Sequence, residues 1–291
     1  MDAIITYVDG QDPLWLEDYR ALLHEPVMAK RFRDWGTLRY LLRGIETHMP
    51  FVENVYLVVA RESQIPSWAS DALKVVLHRD IIPAEYLPTF NSTTIEMFLH
   101  RIPGLSERFL YFNDDMFPVM DCREDDFFVD GKCAMGFSRH LLVTGLYKQQ
   151  TRNADRMARR ALRMPSSYWF LRPQHTCSPM LRSASEEVFD LLEPEILRSL
   201  TPLREACNLN QYLFLDYLYH SGQAVSRRIS NKHLSLASTT AGTLAGFLSR
   251  PTRKLVCIND VRLTEAQYKT YHAILQDAFP RHFPGKSRFE L

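Results

Sequence analysis

The chain has 291 residues, of which 46% are hydrophobic and 24% charged, enough apolar material to bury a substantial core. This composition excludes a disordered, collagen-like or coiled-coil protein. Lys plus Arg number 35 and Asp plus Glu number 34, for a formal net charge of +1. Because so balanced a charge argues against a protein that gathers nucleic-acid phosphates over one broad face, we expect no nucleic acid among its partners.

The cysteines and the N-terminal segment bear on where the protein works. The five cysteines form no Cys-x-x-Cys pair, which argues against a disulfide framework and a structural zinc site, and favours a reducing compartment. Residues 1–7 hold no basic region ahead of an apolar stretch, and no later run reaches the roughly 18 apolar residues of a membrane span. We therefore expect a cytoplasmic protein, a location that is compatible with peripheral attachment to the inner face of the membrane.

Strands and helices alternate over residues 1–135. Short apolar, β-branched runs predict strands at 3–8, 55–60, 74–77 and 108–112. Apolar residues at helical spacing predict helices over 35–48 and 92–101, and the first of these is the crossover between the first two strands. The pattern predicts an α/β fold with a Rossmann-like, mainly parallel sheet and flanking helices, with sites at the carboxyl ends of the strands.

This alternation ends after residue 132. Residues 136–174 are rich in Arg and aromatic residues, and we interpret them as a variable insertion or lid with one helix over 153–162. We expect residues 175–291 to be a helical part that completes an active site and closes onto the core. The elements predicted within it are helices over 183–200, 208–220 and 264–279 and a strand over 254–258.

The strand at 108–112 ends in an amide and two carboxylates, Asn113, Asp114 and Asp115. Burying unpaired carboxylates costs several kcal/mol, so they must meet solvent, cations or a metal. Mg²⁺ typically takes one or two carboxylates together with substrate phosphates. The alternative interpretation is a polar turn in which an aspartate caps the next helix.

Asp9 and Gly10 close the first strand in a similar way. Glycine permits close backbone approach and the acid could contact a ribose or base, although Asp-Gly after a strand is also an ordinary turn. Arg39 and Arg43 lie four residues apart on one helical face, with Arg33 near the helix start. Such forked donors could clamp a diphosphate, and a solvated, ion-paired face is the alternative.

Asn91, Ser92 and His100 belong to the helix predicted over 92–101. Ser92 could cap the start of this helix, and the polar groups of the start could equally touch substrate. His100 lies near the helix end, where a capping or packed histidine is the common alternative to a functional one.

His175 and Arg204 lie beyond the insertion. His175 stands where the insertion rejoins the ordered part and is the best-placed proton acceptor near neutral pH, although it is one of ten histidines. Arg204 lies in a loop from which a cation could reach the site, and a surface arginine is the default alternative. The insertion holds further arginines that could bind an anionic acceptor or an acidic lipid surface, or form a solvated helix: Arg152, Arg156, Arg159, Arg160 and Arg163.

Taken together, these residues resemble the Stealth family of sugar-phosphate transferases, which includes bacterial capsule polymerases and the catalytic subunit of the eukaryotic phosphotransferase that tags lysosomal enzymes. Four blocks match in order, at 4–13, 31–115, 175–225 and 257–290. The second begins with Arg31-Phe32-Arg33-Asp34 and ends with Asn113-Asp114-Asp115, and the fourth begins with Cys257-Ile258-Asn259-Asp260. Val261 and Lys286 depart from the family pattern in the fourth block.

The resemblance implies transfer of a hexose or N-acetylhexosamine 1-phosphate from a nucleotide sugar such as UDP-GlcNAc to a hydroxyl of an acceptor saccharide. The products would be a phosphodiester and a nucleoside monophosphate, in capsular or extracellular polysaccharide synthesis, with peripheral association with a membrane capsule-assembly complex as a compatible arrangement. The core at 1–135 would bind the nucleotide sugar. Because the acceptor oxygen attacks the β-phosphorus, the site needs cations around that group and a base near the acceptor.

The resemblance implies a role for each candidate residue that matches a position of the family's motifs. Asp114 and Asp115 would hold Mg²⁺ or Mn²⁺ or orient the reacting phosphate, and either Asp115 or His175 would take the acceptor proton. Arg204 would stabilise the developing charge. The remaining substrate-binding residues would be Asp9, Gly10, Arg33, Arg39, Arg43, Asn91, Ser92, His100, Asn113, Asn259 and Asp260.

Two other function classes stay open at this stage. A metal-dependent nucleotide-sugar glycosyltransferase would share the α/β architecture and the acidic motif, and would release a nucleoside diphosphate instead of the monophosphate. A non-catalytic carbohydrate-binding component of a capsule assembly complex would bind saccharide without metal dependence or nucleotide turnover. The concentration of carboxylates at strand ends favours an enzyme.

Overall fold

The computed structural model describes residues 1–23, 32–260 and 263–291, which form a mixed α/β architecture. Arg31 and Val261 lie outside the described residues. The strands of the described part are β1 (Asp2–Thr6), β2 (Asn54–Val59), β3 (Leu73–Leu77), β4 (Arg108–Asn113), β5 (Met116–Pro118), β6 (Phe128–Val129), β7 (Lys132–Met135), β8 (Phe137–His140), β9 (Phe170–Pro173), β10 (Ser178–Leu181), β11 (Ala224–Ser226), β12 (Asn231–Ser235) and β13 (Leu255–Asn259). Its helices are α1 (Pro13–Leu23), α2 (Leu38–His48), α3 (His78–Ile81), α4 (Ser92–Glu96), α5 (Gly145–Ala161), α6 (Arg182–Ser199), α7 (Tyr212–His220), α8 (Ala241–Ser249) and α9 (Glu265–His282).

The main sheet has five strands in the order β10-β4-β1-β2-β3. β1 to β4 are parallel and β10 runs antiparallel to β4, which confirms the Rossmann-like, mainly parallel sheet. Its strands are apolar runs because both faces are covered. Ala3, Ile4 and Ile5 of β1, for example, are fully buried.

The carboxyl ends of β1 and β4 lie side by side, with Thr6 opposite Asn113. In the sheet, β2 and β3 lie on one side of β1, and β4 lies on the other. The strand order therefore reverses between β1 and β4. In open α/β sheets, ligands bind in the crevice at such a point. The topology therefore places a crevice beside the acidic pair that follows β4.

A second sheet, in the order β12-β13-β5, borders that pair. The chain leaves β4 through Asp114 and Asp115 and enters β5 at once, and β13 runs antiparallel to β5. The backbone N–H of Ile258 donates to the carbonyl oxygen of Asp115 at 2.9 Å. The C-terminal part of the chain thus forms one wall of the crevice.

Three predicted helices are shorter in the structure. α2 begins at Leu38 rather than 35 because Gly36 has a φ of +65°, a left-handed conformation that an α-helix does not contain. α4 ends at Glu96, and the chain then tightens into a 3₁₀ turn over Leu99–Arg101 instead of continuing as one helix. The first residue of α7 is Tyr212 rather than 208, because the Asn208 side chain is committed to the loop before it.

The predicted insertion consists of the antiparallel pair β8 and β9 with α5 between them. α5 starts eight residues earlier than the helix predicted over 153–162. Its buried face includes the polar residues Gln150, Thr151 and Asp155, so a search for apolar periodicity misses its first half. β10 completes the first sheet and β13 the second, although both follow residue 174. The division into a core, an insertion and a C-terminal part stays a prediction.

The C-terminal tail packs against the start of the chain. Glu290 accepts two hydrogen bonds of 2.7 Å from the guanidinium of Arg43 on α2, and the backbone N–H of Leu291 donates to Trp68. Within the described residues, no helix combines the length and apolarity needed to cross a membrane.

Candidate active site

A cavity of about 1240 Å³ opens at the carboxyl ends of β1 and β4. The walls come from the segments after these strands, from α4, from the loop before α7 and from β12 and β13. Several of the residues predicted from the sequence line it: Arg33, Ser92, Asn113, Asp114, Asp115, His175, Arg204, Asn259 and Asp260. The structure thus brings the acidic pair, the imidazole and a guanidinium group into one cavity.

Asp114 stands among other carboxylates. Burial raises its pKa to about 8, and the negative charges of Asp115, Asp34 and Asp260 act in the same direction. A carboxyl group with this pKa carries a proton at pH 7 unless a cation compensates its charge.

Asp115 lies deeper, next to β13. Its Oδ2 accepts a hydrogen bond from the Cys257 thiol at 3.4 Å, while its Oδ1 is buried and has no hydrogen-bond partner among the described residues. Burial raises the pKa of Asp115, although the Cys257 thiol, His233 and Asn259 act to lower it. A buried carboxylate oxygen without a donor is a vacant position for a cation or a substrate proton.

Asp260 follows β13 and faces the same cavity. The indole Nε1–H of Trp35 donates to its Oδ2 at 2.7 Å. Burial raises the pKa of Asp260, and the Trp35 hydrogen bond opposes that effect. Arg33 lies at the rim, where it pairs with Glu265 at 3.2 Å and its guanidinium covers the Tyr268 ring.

His175 precedes β10, which holds it next to β4. Burial, together with the positive charges of Arg172 and Arg204, lowers the pKa of His175 to about 4. Its imidazole is therefore neutral near pH 7 and able to accept a proton. The hydroxyl of Tyr212 lies 3.4 Å from Nδ1, which leaves Nε2 as the nitrogen for another partner.

Arg204 lies on the loop between α6 and α7. Its Nη2 donates to Ser92 Oγ at 2.5 Å, and its buried Nε has no hydrogen-bond partner within the part of the chain that the structure describes. Beneath it, burial raises the pKa of Glu96 to about 7, and the Gln211 N–H and the Arg204 charge oppose this rise. An unsatisfied guanidinium N–H in a cavity is suited to a phosphate oxygen.

Comparison with known proteins identifies the family. The family model for Stealth protein conserved region 2 matches residues 31–135. Capsular polysaccharide phosphotransferase cps1A of Actinobacillus pleuropneumoniae is 31% identical, over 78% of this chain and 67% of that protein. The chain belongs to the Stealth family. Capsular polysaccharide phosphotransferase eps5J of Streptococcus thermophilus is 42% identical over 45% of this Stealth chain, and the match spans 59% of the length of that protein.

Among solved structures, a similar one is a galactosyltransferase, LgtC, in complex with donor and acceptor sugar analogues. It has a TM-score of 0.42 and 10% sequence identity, and the alignment covers 99% of this chain and 96% of that chain. A TM-score of this size supports no inference about function.

Two residues predicted at the nucleotide end of the Stealth site, Asp9 and Gly10, lie outside the cavity lining. Gln64 Oε1 accepts from the backbone N–H of Asp9 at 2.7 Å, and Asp9 Oδ1 accepts from the Gln11 N–H, so Asp9 shapes a turn. The N–H of Gly10 donates to the Phe32 carbonyl at 3.0 Å, and a Cβ at this position would collide with that carbonyl. Glycine is required here for close chain packing.

The predicted diphosphate clamp of Arg39 and Arg43 is also outside the cavity lining. Arg43 pairs with Glu290 and donates to the carbonyl oxygen of Phe283, while Arg39 lies over the Trp68 ring at 5.1 Å. Both therefore attach α2 to neighbouring segments.

His100 and Asn91 lie behind the cavity lining. His100 packs on Phe189 at a centroid distance of 5.1 Å, and burial lowers its pKa to about 4. Asn91, not Ser92, caps α4 by accepting from the Thr93 N–H. The Asn91 amide also donates to Thr201 O at 3.1 Å and Leu203 O at 3.2 Å, so it holds the Arg204 loop in place.

The sequence-based reasoning missed several residues of the cavity wall. His233, Glu96 and Arg172 all line it. His233 lies in a stretch of polar composition that hides β12, and Arg172 lies in the insertion, where the predicted pattern was weakest. Glu96 lies within the helix predicted over 92–101, and its burial has no signal in a single sequence.

The carboxylates of this Stealth chain fit the divalent metal that the family implies. Asp114, Asp115 and Asp260 face one cavity, their pKa values are raised, and Asp115 Oδ1 has no donor. Carboxylate oxygens are the ligands that Mg²⁺ and Mn²⁺ prefer, and Mg²⁺ typically takes one or two of them together with substrate phosphates.

Proposed function

We propose that the protein transfers a sugar 1-phosphate from a nucleotide sugar to a hydroxyl of an acceptor saccharide and releases a nucleoside monophosphate. The observation that carries the proposal is the single cavity that contains an acidic pair, a neutral imidazole and an arginine with an unsatisfied N–H. The relatives named capsular polysaccharide phosphotransferase support a role in capsular or extracellular polysaccharide synthesis.

His175 is proposed as the base. Its Nε2 takes the proton of the acceptor hydroxyl, whose oxygen forms a bond to the β-phosphorus of the donor. The bond between that phosphorus and the oxygen bridging to the α-phosphate breaks, and the nucleoside monophosphate leaves with the bridging oxygen. Tyr212, at 3.4 Å from Nδ1, orients the ring.

Arg204 and the carboxylates have different electrostatic roles in this proposal. Arg204 directs its Nε–H at the phosphoryl oxygens and stabilises the charge that develops there. Asp114 and Asp115, with Asp260 beside them, would hold Mg²⁺ or Mn²⁺, which neutralises diphosphate charge when bound. Asn113 and Asn259 border the same position.

The donor is a cytosolic metabolite, so we propose that the reaction takes place in the cytoplasm, with peripheral association with a capsule-assembly complex. The hexose or N-acetylhexosamine and the nucleotide base are set by the shape of the cavity, and UDP-GlcNAc is the first donor to test.

Product analysis tests the proposed function. The protein is incubated with Mg²⁺, a panel of nucleotide sugars and capsular oligosaccharides, and the products are identified by mass spectrometry. We expect a nucleoside monophosphate and a phosphodiester-linked product, both lost in Asp115→Asn and His175→Ala and retained in Asp71→Asn, an exposed acid outside the cavity lining. Release of a nucleoside diphosphate would indicate a glycosyltransferase instead, and saccharide binding without turnover a non-catalytic component.

A further inference from the structure

Three side chains with metal-binding atoms meet beside the cavity, where His175 and His233 belong to the lining and Cys257 is buried next to them. His175, His233 and Cys257 each offer a ligand atom, and these atoms all lie within 4.8 Å of one another. Among the described residues, no other three histidine, cysteine or acidic side chains have ligand atoms this close together. It shares no residue with the carboxylates Asp114, Asp115 and Asp260, although the Cys257 thiol contacts Asp115 Oδ2.

The fold holds this group together. His233 and Cys257 are register partners on the parallel strands β12 and β13, so their side chains lie on the same face of the sheet. The side-chain amide of Asn231, also on β12, donates to the carbonyl oxygen of His175 at 3.0 Å and fixes the third residue beside them. The imidazole rings of His175 and His233 have centroids 5.6 Å apart.

The donor set of this group is chemically distinct. Two imidazole nitrogens and one sulfur are ligands for a borderline-soft ion such as Zn²⁺ or Co²⁺, whereas Mg²⁺ prefers oxygen. Within the described part of the chain, the imidazole of His233 makes no side-chain hydrogen bond, so it is available as a ligand. The Cys257 thiol donates to Asp115 Oδ2 at 3.4 Å, which places a carboxylate beside the sulfur.

We propose that His175, His233 and Cys257 form a binding site for a borderline-soft divalent ion, Zn²⁺ above all, and that occupancy of this site blocks phosphotransfer. Binding displaces the Cys257 thiol proton to solvent, and the thiolate and two imidazole nitrogens coordinate the ion. The blocking effect rests on the proposed function, because the ion takes the imidazole nitrogen that would otherwise accept the acceptor proton.

Cobalt spectroscopy tests the site without any need for turnover. The full chain, stripped of metal with a chelator and kept reduced, is titrated with Co²⁺ at pH 7. We expect a thiolate-to-cobalt charge-transfer band and the visible bands of four-coordinate cobalt, both displaced by Zn²⁺. His233→Ala, at an exposed position that the fold tolerates, weakens Co²⁺ binding about 10- to 100-fold or more.

Two cysteine variants sharpen this test. Cys257→Ser removes the charge-transfer band, whereas Cys207→Ser, which changes an exposed free thiol, leaves it unchanged. Because Cys257 is fully buried, its variant is checked for folding by circular dichroism, and His233→Ala decides the matter if Cys257→Ser unfolds. A wild-type protein without the band, or a band that persists in folded His233→Ala at unchanged affinity, overturns the site.

The blocking effect has its own measurement. Zn²⁺ is added to the transfer reaction at saturating Mg²⁺, and the inhibition constant is compared between wild type and His233→Ala, each relative to its own zinc-free rate. We expect the inhibition constant to rise at least about tenfold in the variant. If cobalt binds but zinc does not inhibit, the blocking effect is wrong and the metal site stands. If the zinc-free protein supplied with Mg²⁺ catalyses no transfer, the proposed function is contradicted, and the cobalt spectra still test the metal site.

Discussion

The indole Nε1 of Trp35 lies 2.7 Å from Oδ2 of Asp260 and ties the segment before α2 to the end of β13. Trp35→Phe removes the donor and keeps an aromatic ring against Tyr268. Asp260 is partly buried, and a carboxylate at such a position that loses a hydrogen bond costs about 1 kcal/mol, so we expect a loss of that size in the free energy of urea unfolding. The control is Trp169→Phe, at a half-exposed position, which should unfold like wild type.

The low pKa of His175 predicts the acid side of the pH–rate profile. Burial and two arginines hold this pKa near 4, so the imidazole stays neutral above that value and becomes protonated below it. We expect kcat/KM to fall as the pH drops through about 4 to 5. Above pH 5, the titration of His175 should cause no further change in kcat/KM.

The substitution Arg172→Gln should shift the acid limb of the pH–rate profile, which is the fall in kcat/KM at low pH. Removal of this positive charge raises the pKa of His175, so the fall in kcat/KM shifts to higher pH, while Arg139→Gln on β8 leaves it in place. A limb at the same pH in both variants would mean that another group controls it.

The raised pKa of Asp114 predicts proton release on metal binding. With a pKa of about 8, this carboxyl group is largely protonated at pH 7 before a cation binds. Mg²⁺ must then displace that proton, and titration calorimetry in two buffers of different ionisation enthalpy should give different apparent heats. Asp114→Asn abolishes the buffer dependence, and equal heats for wild type in both buffers would refute the assignment.

Arg204 is predicted to act on the reacting phosphate. Arg204→Lys keeps the charge and loses both the Nε–H and the fork that reaches Ser92. We expect kcat/KM to fall about 10²- to 10³-fold, with most of the loss in kcat. Asn91→Ala, which frees the Arg204 loop without touching the cavity, should give a smaller loss of kcat together with a lower Tm.

The Arg43–Glu290 pair is predicted to stabilise the fold over a defined pH range. Burial acts to raise the pKa of Glu290, but the Arg43 hydrogen bonds lower it to about 2, against a usual value of 4.5. The stabilisation is complete above pH 4.5 and is lost as the pH falls towards 2. Glu290→Gln should cost about 2–3 kcal/mol at pH 7 and progressively less below pH 4.5. Glu53→Gln, at an exposed ion pair, should cost little.

The main sheet and the acidic pair could be predicted from the sequence because their signals are local. Apolar runs such as that of β4 mark buried strands, and Asp114 and Asp115 interrupt one abruptly. The approximate helix positions followed from the same periodicity. Element ends were less predictable, since Gly36 and the Asn208 side chain stop helices through backbone conformation and tertiary hydrogen bonds.

The rest of the cavity wall depends on contacts between distant segments. The sequence predicts the helix that carries Arg43, but its ion-pair partner Glu290 lies near the other end of the chain. A single sequence therefore gives no sign that the Arg43 guanidinium is already paired with a carboxylate. Likewise, His233 and Cys257 become neighbours only through the pairing of β12 with β13. Their spacing in the sequence resembles no metal motif.

Strand β10 brings His175 to β4, and β13 brings Asp260 and Cys257 to β5, so each half of the chain supplies only part of the cavity. A fragment confined to residues 31–135 would possess the acidic pair and lack the imidazole. Exchange of segments between relatives, when the aim is to alter donor or acceptor choice, must therefore preserve both strand pairings. Junctions within exposed loops such as that around Gly222 would leave these pairings intact.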